Sequence, residues 1–264
     1  RVRRGSEGNL EYLKSKLSYQ EGRLVDETGS AVMMGWEAPL MLEHAKALMP
    51  EQDTGDVLNI GFGLGLIDGF LQERRPRSHR IIEAHEDVLK EIARQGFDQK
   101  PGVTLLKGRW QDVLPKMPDK SLDAVFFDTY EESYADLRDF QSELPRVLRP
   151  GGCFSFFNGL GSYNIFFHAV YSRMAQEDLK DLGLICSFAP LNVGNLADDT
   201  WHGLQRRYWK FKTYYLPLAT LGPQSRSVEE PGRKMREWPE SIVQIGDVEM
   251  KDEAAPTGSV EWNC

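Results

Sequence analysis

The sequence predicts an α/β fold on a doubly wound, mostly parallel sheet, preceded by a hairpin and a helix. Three observations carry that expectation. Short apolar runs and stretches of helical periodicity alternate from Val57 to about Leu182, the pattern of strand–helix–strand units. Several of those runs stop at a glycine or an acid, as at Gly61, Glu83 and Asp128, where open α/β sheets present their binding residues. With 264 residues and 41% hydrophobic content, the chain can bury a core in one or two domains without staples.

Residues 1–16 read as a polar helix or lead-in. Residues 17–34 read as a hairpin, with turns at Glu21-Gly22 and Glu27-Thr28-Gly29 between short apolar strands. Pro39 to Met49 carries a helical apolar face. Strands then fall at 57–60, 81–83, 103–106 and 122–127, with helices at 64–74 and 86–95. A helix over 136–148 is expected to bend at Pro145. Arg149-Pro150-Gly151-Gly152 turns the chain into a strand at 153–157, followed by a helix at 163–182. Strands near 184–191 and 208–216 complete the fold as a late hairpin. The organisation is an N-terminal unit at 1–50, a binding and catalytic domain at 51–221, and a tail at 222–264 whose composition reads as disordered.

Charge and cysteine usage narrow the function. There are 40 acidic and 32 basic residues, a net charge of −8, which argues against a duplex nucleic-acid binder and leaves room for a cationic partner. No apolar run approaches the ~18 residues of a membrane span. Three dispersed cysteines, Cys153, Cys186 and Cys264, fit a reducing compartment better than a disulfide framework; the localisation expected of the chain is cytoplasmic and nuclear. The five histidines show no ligand spacing, so no metal site is expected.

Two constellations carry chemistry. Gly61-Phe62-Gly63-Leu64-Gly65 follows a strand and opens a helix, where glycines let a backbone approach a ligand closely. Leu66 occupies the third small position of the nicotinamide fingerprint and weakens that reading. Glu83 ends the second strand, suited to accept hydrogen bonds from the ribose hydroxyls of an adenosine-containing ligand. Trp110 and Gln111, past the third strand, could cover and bond an adenine ring; Trp110 could equally be a core aromatic. His85 could line the same pocket or lie at the surface. The second constellation is a pair of acids. Asp128 follows the fourth strand between aromatics, and Glu37 lies between the hairpin and the first long helix. Either could simply cap a loop or helix. Together they match the donor fork of a guanidinium.

At these motifs the chain resembles S-adenosylmethionine-dependent methyltransferases, in the branch shared by guanidinoacetate N-methyltransferase and the fungal arginine N-delta methyltransferases. The blocks are Val32-Met33-Met34-Gly35-Trp36-Glu37, Leu58-Asn59-Ile60-Gly61-Phe62-Gly63-Leu64-Gly65, Ile81-Ile82-Glu83-Ala84-His85, Lys107-Gly108-Arg109-Trp110-Gln111-Asp112, Phe126-Phe127-Asp128-Thr129-Tyr130 and Leu148-Arg149-Pro150-Gly151-Gly152. Arg206-Arg207-Tyr208-Trp209 adds to the likeness with the arginine enzymes.

The resemblance implies a class I, Rossmann-like fold with seven strands and an N-terminal lid. It implies S-adenosylmethionine as cofactor, held by Met33, Gly61, Phe62, Gly63, Gly65, Glu83, Ala84, His85, Trp110, Gln111 and Asp128. It implies Glu37 and Asp128 as catalytic carboxylates, with Trp36, Tyr130, Asn158 and Tyr163 lining the substrate mouth. The substrate it implies is an arginine in a ribosomal protein, with free guanidinoacetate as the small-molecule alternative and a non-catalytic cofactor-binding regulator as the other. In the arginine enzymes an ankyrin-like region precedes this part. One departure is Asn59, where many methyltransferases carry an acid.

Overall fold

The structure, a computed structural model, describes residues 7–222. The 222–264 tail, apart from Gly222, and Cys264 with it, lie outside the described residues. A short helix α1 (Glu7–Tyr12) leads into strands β1 (Leu17–Gln20), β2 (Arg23–Asp26) and β3 (Ala31–Met34). Here the predicted hairpin is a three-stranded antiparallel sheet ordered β1-β2-β3. Both turns close with positive-φ glycines, Gly22 and Gly29, so each apolar run pairs with the next. A single turn at Gly35–Glu37 passes into α2 (Ala38–Leu48), with Pro39 in its first turn, where a missing N–H costs nothing.

The main sheet uses β4 (Asp56–Ile60), β5 (Ser78–Glu83), β6 (Val103–Lys107), β7 (Leu122–Phe127), β8 (Leu148–Phe156), β9 (Leu184–Asn192) and β10 (Thr213–Leu221). Its order is β6-β5-β4-β7-β8-β10-β9. The first five strands in that order run parallel, and β10 runs antiparallel to both β8 and β9. Helices α3 (Leu66–Glu73), α4 (Glu86–Arg94), α5 (Trp110–Val113), α6 (Tyr134–Gln141), α7 (Leu144–Val147) and α8 (Ile165–Asp181) connect them. One core packs Phe127, Phe140, Phe154 and Leu179 on one face; the other packs Met41, Ile67, Phe126 and Trp209. Each such side chain, once buried, contributes about 1.5–3 kcal/mol.

Three boundaries differ from expectation. The helix expected over 136–148 is two helices, since Pro145 starts α7 instead of bending a continuous one. Strand β8 begins at Leu148 and takes in the Arg-Pro-Gly-Gly turn, with a register irregularity opposite β7. The last strand is Thr213–Leu221, not 208–216. The aromatic run Tyr208-Trp209 reads as strand, yet it packs as coil, and Pro217 lies inside the strand. There its carbonyl accepts from Ser155 Oγ, and the pairing with β8 is confined to Ala219 and Thr220.

The chain enters the main sheet at β4, moves outward to β6, then returns to lay β7 on the other side of β4. The loops after β4 and β7 therefore part around a crevice, the switch point where open sheets bind ligands. Ile60 pairs with Phe127, and the Asp128 N–H donates to the Ile60 carbonyl at 3.0 Å. Gly61 and Asp128 thus meet because of strand order, which no local pattern specifies.

Candidate active site

The glycine loop turns directly from β4 into α3. Gly61, Gly63 and Gly65 all have positive φ, and all three are also needed for space, a Cβ on Gly65 coming within 2.5 Å of the Phe62 ring. A Cβ on Gly61 would overlap the Asp128 carbonyl, and one on Gly63 would come within 2.8 Å of Met33 Sδ. Behind the loop, Asn59 is buried and donates through Nδ2 to the Gly61 carbonyl at 2.7 Å and to Asp68 Oδ2 at 2.8 Å. His79 Nε2 meets the other oxygen of Asp68 at 2.9 Å. This accounts for the departure at position 59. An acid there would face Asp68, whereas an amide supplies the donor.

A cleft opens in front of the loop, lined in part by Gly61, Gly63, Glu83, Ala84, Gln111 and Asp128. The N-terminal unit forms its outer wall through Asn9, Tyr12 and Met33. Tyr19 Oη donates to the Gly63 carbonyl at 3.1 Å, and Asn9 Nδ2 to the Tyr130 carbonyl at 3.1 Å.

Glu83 is buried, and three backbone N–H groups converge on it: Ala84 and His85 at 2.7 Å on Oε1 and Phe62 at 2.9 Å on Oε2. Burial pushes its carboxyl pKa up, and those three donors oppose the shift. A carboxylate offers about four lone-pair sites, so one is left for a ligand hydroxyl. A second hydroxyl would have to displace a backbone bond.

Glu132 was not singled out from the sequence, yet it organises the cleft's far wall. It accepts from Trp110 Nε1 at 2.8 Å, Gln111 Nε2 at 3.2 Å and Thr129 Oγ1 at 2.8 Å. The Trp110 indole N–H is thereby committed, and its ring packs edge-on against Phe127 and Phe140. Trp110 is both core aromatic and cleft wall. Gln111 Oε1 is buried with no protein partner, an acceptor turned to the kind of donor an exocyclic amine supplies.

The two acids of the second constellation converge. Glu37 is 3% exposed. Its Oε1 accepts from the Met34 N–H at 3.0 Å and from the Tyr208 hydroxyl. Burial raises its pKa to about 8, with a further push from the Asp128 charge, against which the Tyr208 and Met34 hydrogen bonds act. Burial alone raises Asp128 to about 7, and its Oδ2 is buried without a partner. Both charges also push the hydroxyls of Tyr208 and Tyr214 upward, so all four groups lie within electrostatic reach of one another. Two carboxyls held that way repel until a cation is supplied. A guanidinium between them would relieve both.

Aromatic and neutral polar groups surround this cluster. Trp36 Nε1 donates to Tyr208 Oη at 3.0 Å, and Trp36 lies 6.2 Å from Trp201 and 6.1 Å from Trp209 between ring centres. His44 bridges Ser155 Oγ at 2.7 Å and Tyr214 Oη at 2.8 Å. Burial lowers its pKa to about 3, so it carries no charge at neutral pH.

Several sequence-proposed positions sit elsewhere. His85 caps α4, accepting from the Asp87 N–H through Nδ1 while Nε2 faces the Tyr12 carbonyl. It is neither at the surface nor among the residues lining the cleft. Phe62 is fully buried against Phe97 and offers the site only its backbone. Asn158 is buried, with Nδ2 on Ser172 Oγ and the Tyr215 carbonyl and its N–H on Tyr214 Oη at 2.8 Å, while its Oδ1 has no protein partner. Tyr163 is 64% exposed and faces solvent. Tyr130 does line the cleft, and Trp36 stands behind Glu37 through Tyr208.

A family model described as guanidinoacetate N-methyltransferase matches residues 2–188. The chain belongs to this family. It is 43% identical over 214 residues to a protein of Aspergillus oryzae named protein arginine N-methyltransferase 2, covering 80% of this chain and 51% of that one. A protein of the same name from Yarrowia lipolytica is 40% identical over 224 residues, 80% of this chain and 47% of that one. The chain thus spans about half the length of these two relatives. Among solved structures it is similar to a precorrin-6y C5,15-methyltransferase from Geobacter metallireducens, with TM-score 0.51 and 17% identity over 76% of this chain and 96% of that one. Spermidine synthase from Thermotoga maritima gives TM-score 0.51 and 15% identity, over 78% of this chain and 72% of that one. At such identities the likeness is one of fold, and the fold is the Rossmann-like one of class I methyltransferases.

Proposed function

We propose that the chain is the catalytic part of an S-adenosylmethionine-dependent methyltransferase acting on a guanidino nitrogen, that of arginine in a polypeptide. The observation that carries the reading is the pair of buried carboxylates, Glu37 and the cleft-lining Asp128, that repel one another at the sheet's switch point. The names of the fungal relatives favour a protein arginine, and we further propose the delta nitrogen and a ribosomal protein.

The cleft fits the cofactor on three counts. Gly61 and Gly63 leave the loop bare, Glu83 keeps one acceptor site, and Gln111 Oε1 is an unpartnered acceptor. When bound, the cofactor supplies an electrophilic methyl on sulfonium. Everything else falls to the protein, and the task is alignment. A guanidinium is a poor nucleophile because it stays protonated. Glu37 and Asp128 accept hydrogen bonds from its nitrogens and draw positive charge away from the attacking one. Their raised pKa values, about 8 and about 7, suit either of them to take up the displaced proton near neutral pH. Incubation with methyl-labelled cofactor and a basic ribosomal protein, followed by mass mapping, tests this. Label on the delta nitrogen of arginine supports the reading; label on no guanidino group sinks it.

A second reading has a specific observation behind it, the family model itself. In that case free guanidinoacetate takes the label and the polypeptide does not.

A further inference from the structure

Glu37 and Tyr208 lie 171 residues apart, yet the Tyr208 hydroxyl donates to Glu37 Oε1. The direction of that bond follows from a third residue. An indole N–H can only donate, and Trp36 Nε1 donates to Tyr208 Oη at 3.0 Å. The tyrosine oxygen therefore accepts from Trp36, which leaves its own proton to point at the carboxylate. Burial and the neighbouring Glu37 charge hold the hydroxyl well above its ordinary pKa, so it remains a donor at every working pH. The Met34 N–H lands on the same carboxylate oxygen at 3.0 Å. Both of these bonds to Glu37 thus fall on Oε1, and Oε2 receives neither.

We infer that Tyr208, braced by Trp36, is a positioning residue that turns the Glu37 carboxylate so that one oxygen is held by the protein and the other is presented to the substrate. The inference rests on the reading of Glu37 as a guanidine-binding carboxylate and adds the device that aims it. The segment carrying Tyr208 is itself fixed. Its carbonyl accepts from Ser162 Oγ at 2.5 Å, and the buried Trp209 that follows donates to the Phe211 carbonyl at 2.8 Å. The charged or titratable groups facing Glu37 are Asp128 from the β7 loop, Tyr208 itself and Tyr214 from β10. Neutral His44 on α2 stands behind Tyr214. Arg207 lies over the Trp201 ring, 5.5 Å from its centre. Among these groups only Tyr208 both touches Glu37 and favours its ionised form.

The test is Tyr208→Phe in the full chain, which removes one oxygen and keeps the ring. Two readouts separate positioning from scaffolding. In a carboxyl-labelled carbon-13 titration, with Glu37→Gln to assign the signal, the Glu37 midpoint should rise by about one pH unit, the worth of one charge-assisted hydrogen bond. The acid limb of the kcat/KM profile should move up with it, and kcat/KM at neutral pH should fall roughly tenfold or more. Binding of S-adenosylhomocysteine should stay within about twofold, since Tyr208 is not among the cleft-lining residues. Trp36→Phe, which removes only the brace, should move the midpoint the same way by less, and it decides the matter if Tyr208→Phe does not fold. Activity lost with an unmoved Glu37 midpoint and acid limb would overturn the inference. Absence of turnover on every guanidine by the unaltered protein would instead overturn the reading of function, and the titration midpoint would still decide what Tyr208 does.

Discussion

Two buried carboxylate clusters lie on either side of the glycine loop, and they are built oppositely. Behind the loop, Asp68 is wholly buried and both of its oxygens are taken, one by His79 at 2.9 Å and one by Asn59 at 2.8 Å. In front, Asp128 leaves Oδ2 without a partner, and Glu37 spends one oxygen on two donors while facing the Asp128 charge. A protein has no reason of stability to bury two repelling acids. The difference separates a carboxylate that completes the fold from a pair that is completed by a ligand.

The comparison breaks first, and by most, if turnover survives loss of the pair. Glu37→Gln and Asp128→Asn should each lower kcat by about a thousandfold, about 4 kcal/mol of transition-state stabilisation. Binding of the cofactor product should hold within a few-fold for Glu37→Gln. Steady-state rates beside a calorimetric titration read both numbers. Equal rates in variant and parent would return these acids to the status of helix and loop caps.

Asp68→Ala should do the reverse. It strips the partner from His79 and from the Asn59 amide, and leaving buried polar groups unpaired costs about 2–4 kcal/mol. Chemical denaturation should show that loss. The fraction that remains folded should turn over within several-fold of the parent, because Asp68 reaches the cleft only through the loop. A large stability loss in Glu37→Gln with none in Asp68→Ala would invert the comparison.

Part of this was open to sequence reading. The glycine loop, Glu83 at a strand end, Asp128 after β7 and the alternation of strands and helices are local patterns, and each lies near its expected place. Strand order is not local, so the meeting of Gly61 with Asp128 had to come from the fold. Tyr208 is further out of reach. It sits in coil 171 residues from Glu37, and its aromatic neighbours read as a strand. Glu132 looks like one more acid in a polar loop until three donors are found on it. Asn158 shows the limit from the other side: a polar residue after a strand reads as a mouth, and only the fold shows that its amide also ties α8 to β10.

The third expectation concerns pH in the ligand-free protein. Glu37 and Asp128 titrate near 8 and near 7 when folded, against roughly 4.3 and 3.9 unfolded. Between those values the folded state holds more protons than the unfolded one. Stability is therefore greatest below about pH 4 as far as these groups are concerned, and is lost as pH rises through 7 to 8. Either amide substitution should remove part of that loss and raise stability near pH 8 by roughly 1–3 kcal/mol, visible as a higher Tm. A guanidine ligand should do the same for the parent, with proton release on binding when measured in buffers of different ionisation enthalpy. Unchanged Tm between pH 6 and 8 in parent and variants alike would contradict the raised values.

The smallest effect is expected at a third carboxylate, a mostly buried acid whose partner Arg77 lies at the surface. Asp56 opens β4 at the end of the sheet remote from the cleft, 2.5 Å from Arg77 Nη2 and 2.8 Å from Arg149 Nη2, with Ser78 Oγ at 2.7 Å. The Arg77 guanidinium holds its carboxyl well below the usual range, so its contribution is present at neutral pH and fades only as pH falls into strong acid. Arg77 is itself 61% exposed, where a bridge is screened by salt and opposed by side-chain entropy. Since Arg149 and Ser78 still hold Asp56 when Arg77 is cut back, Arg77→Ala should cost under about 1 kcal/mol, and less in high salt. If instead it costs as much as Asp68→Ala, pairing alone sets the worth of a carboxylate here. If it costs little, burial is what makes the Asp68 partners indispensable, and burial without partners is what marks Glu37 and Asp128 for a ligand.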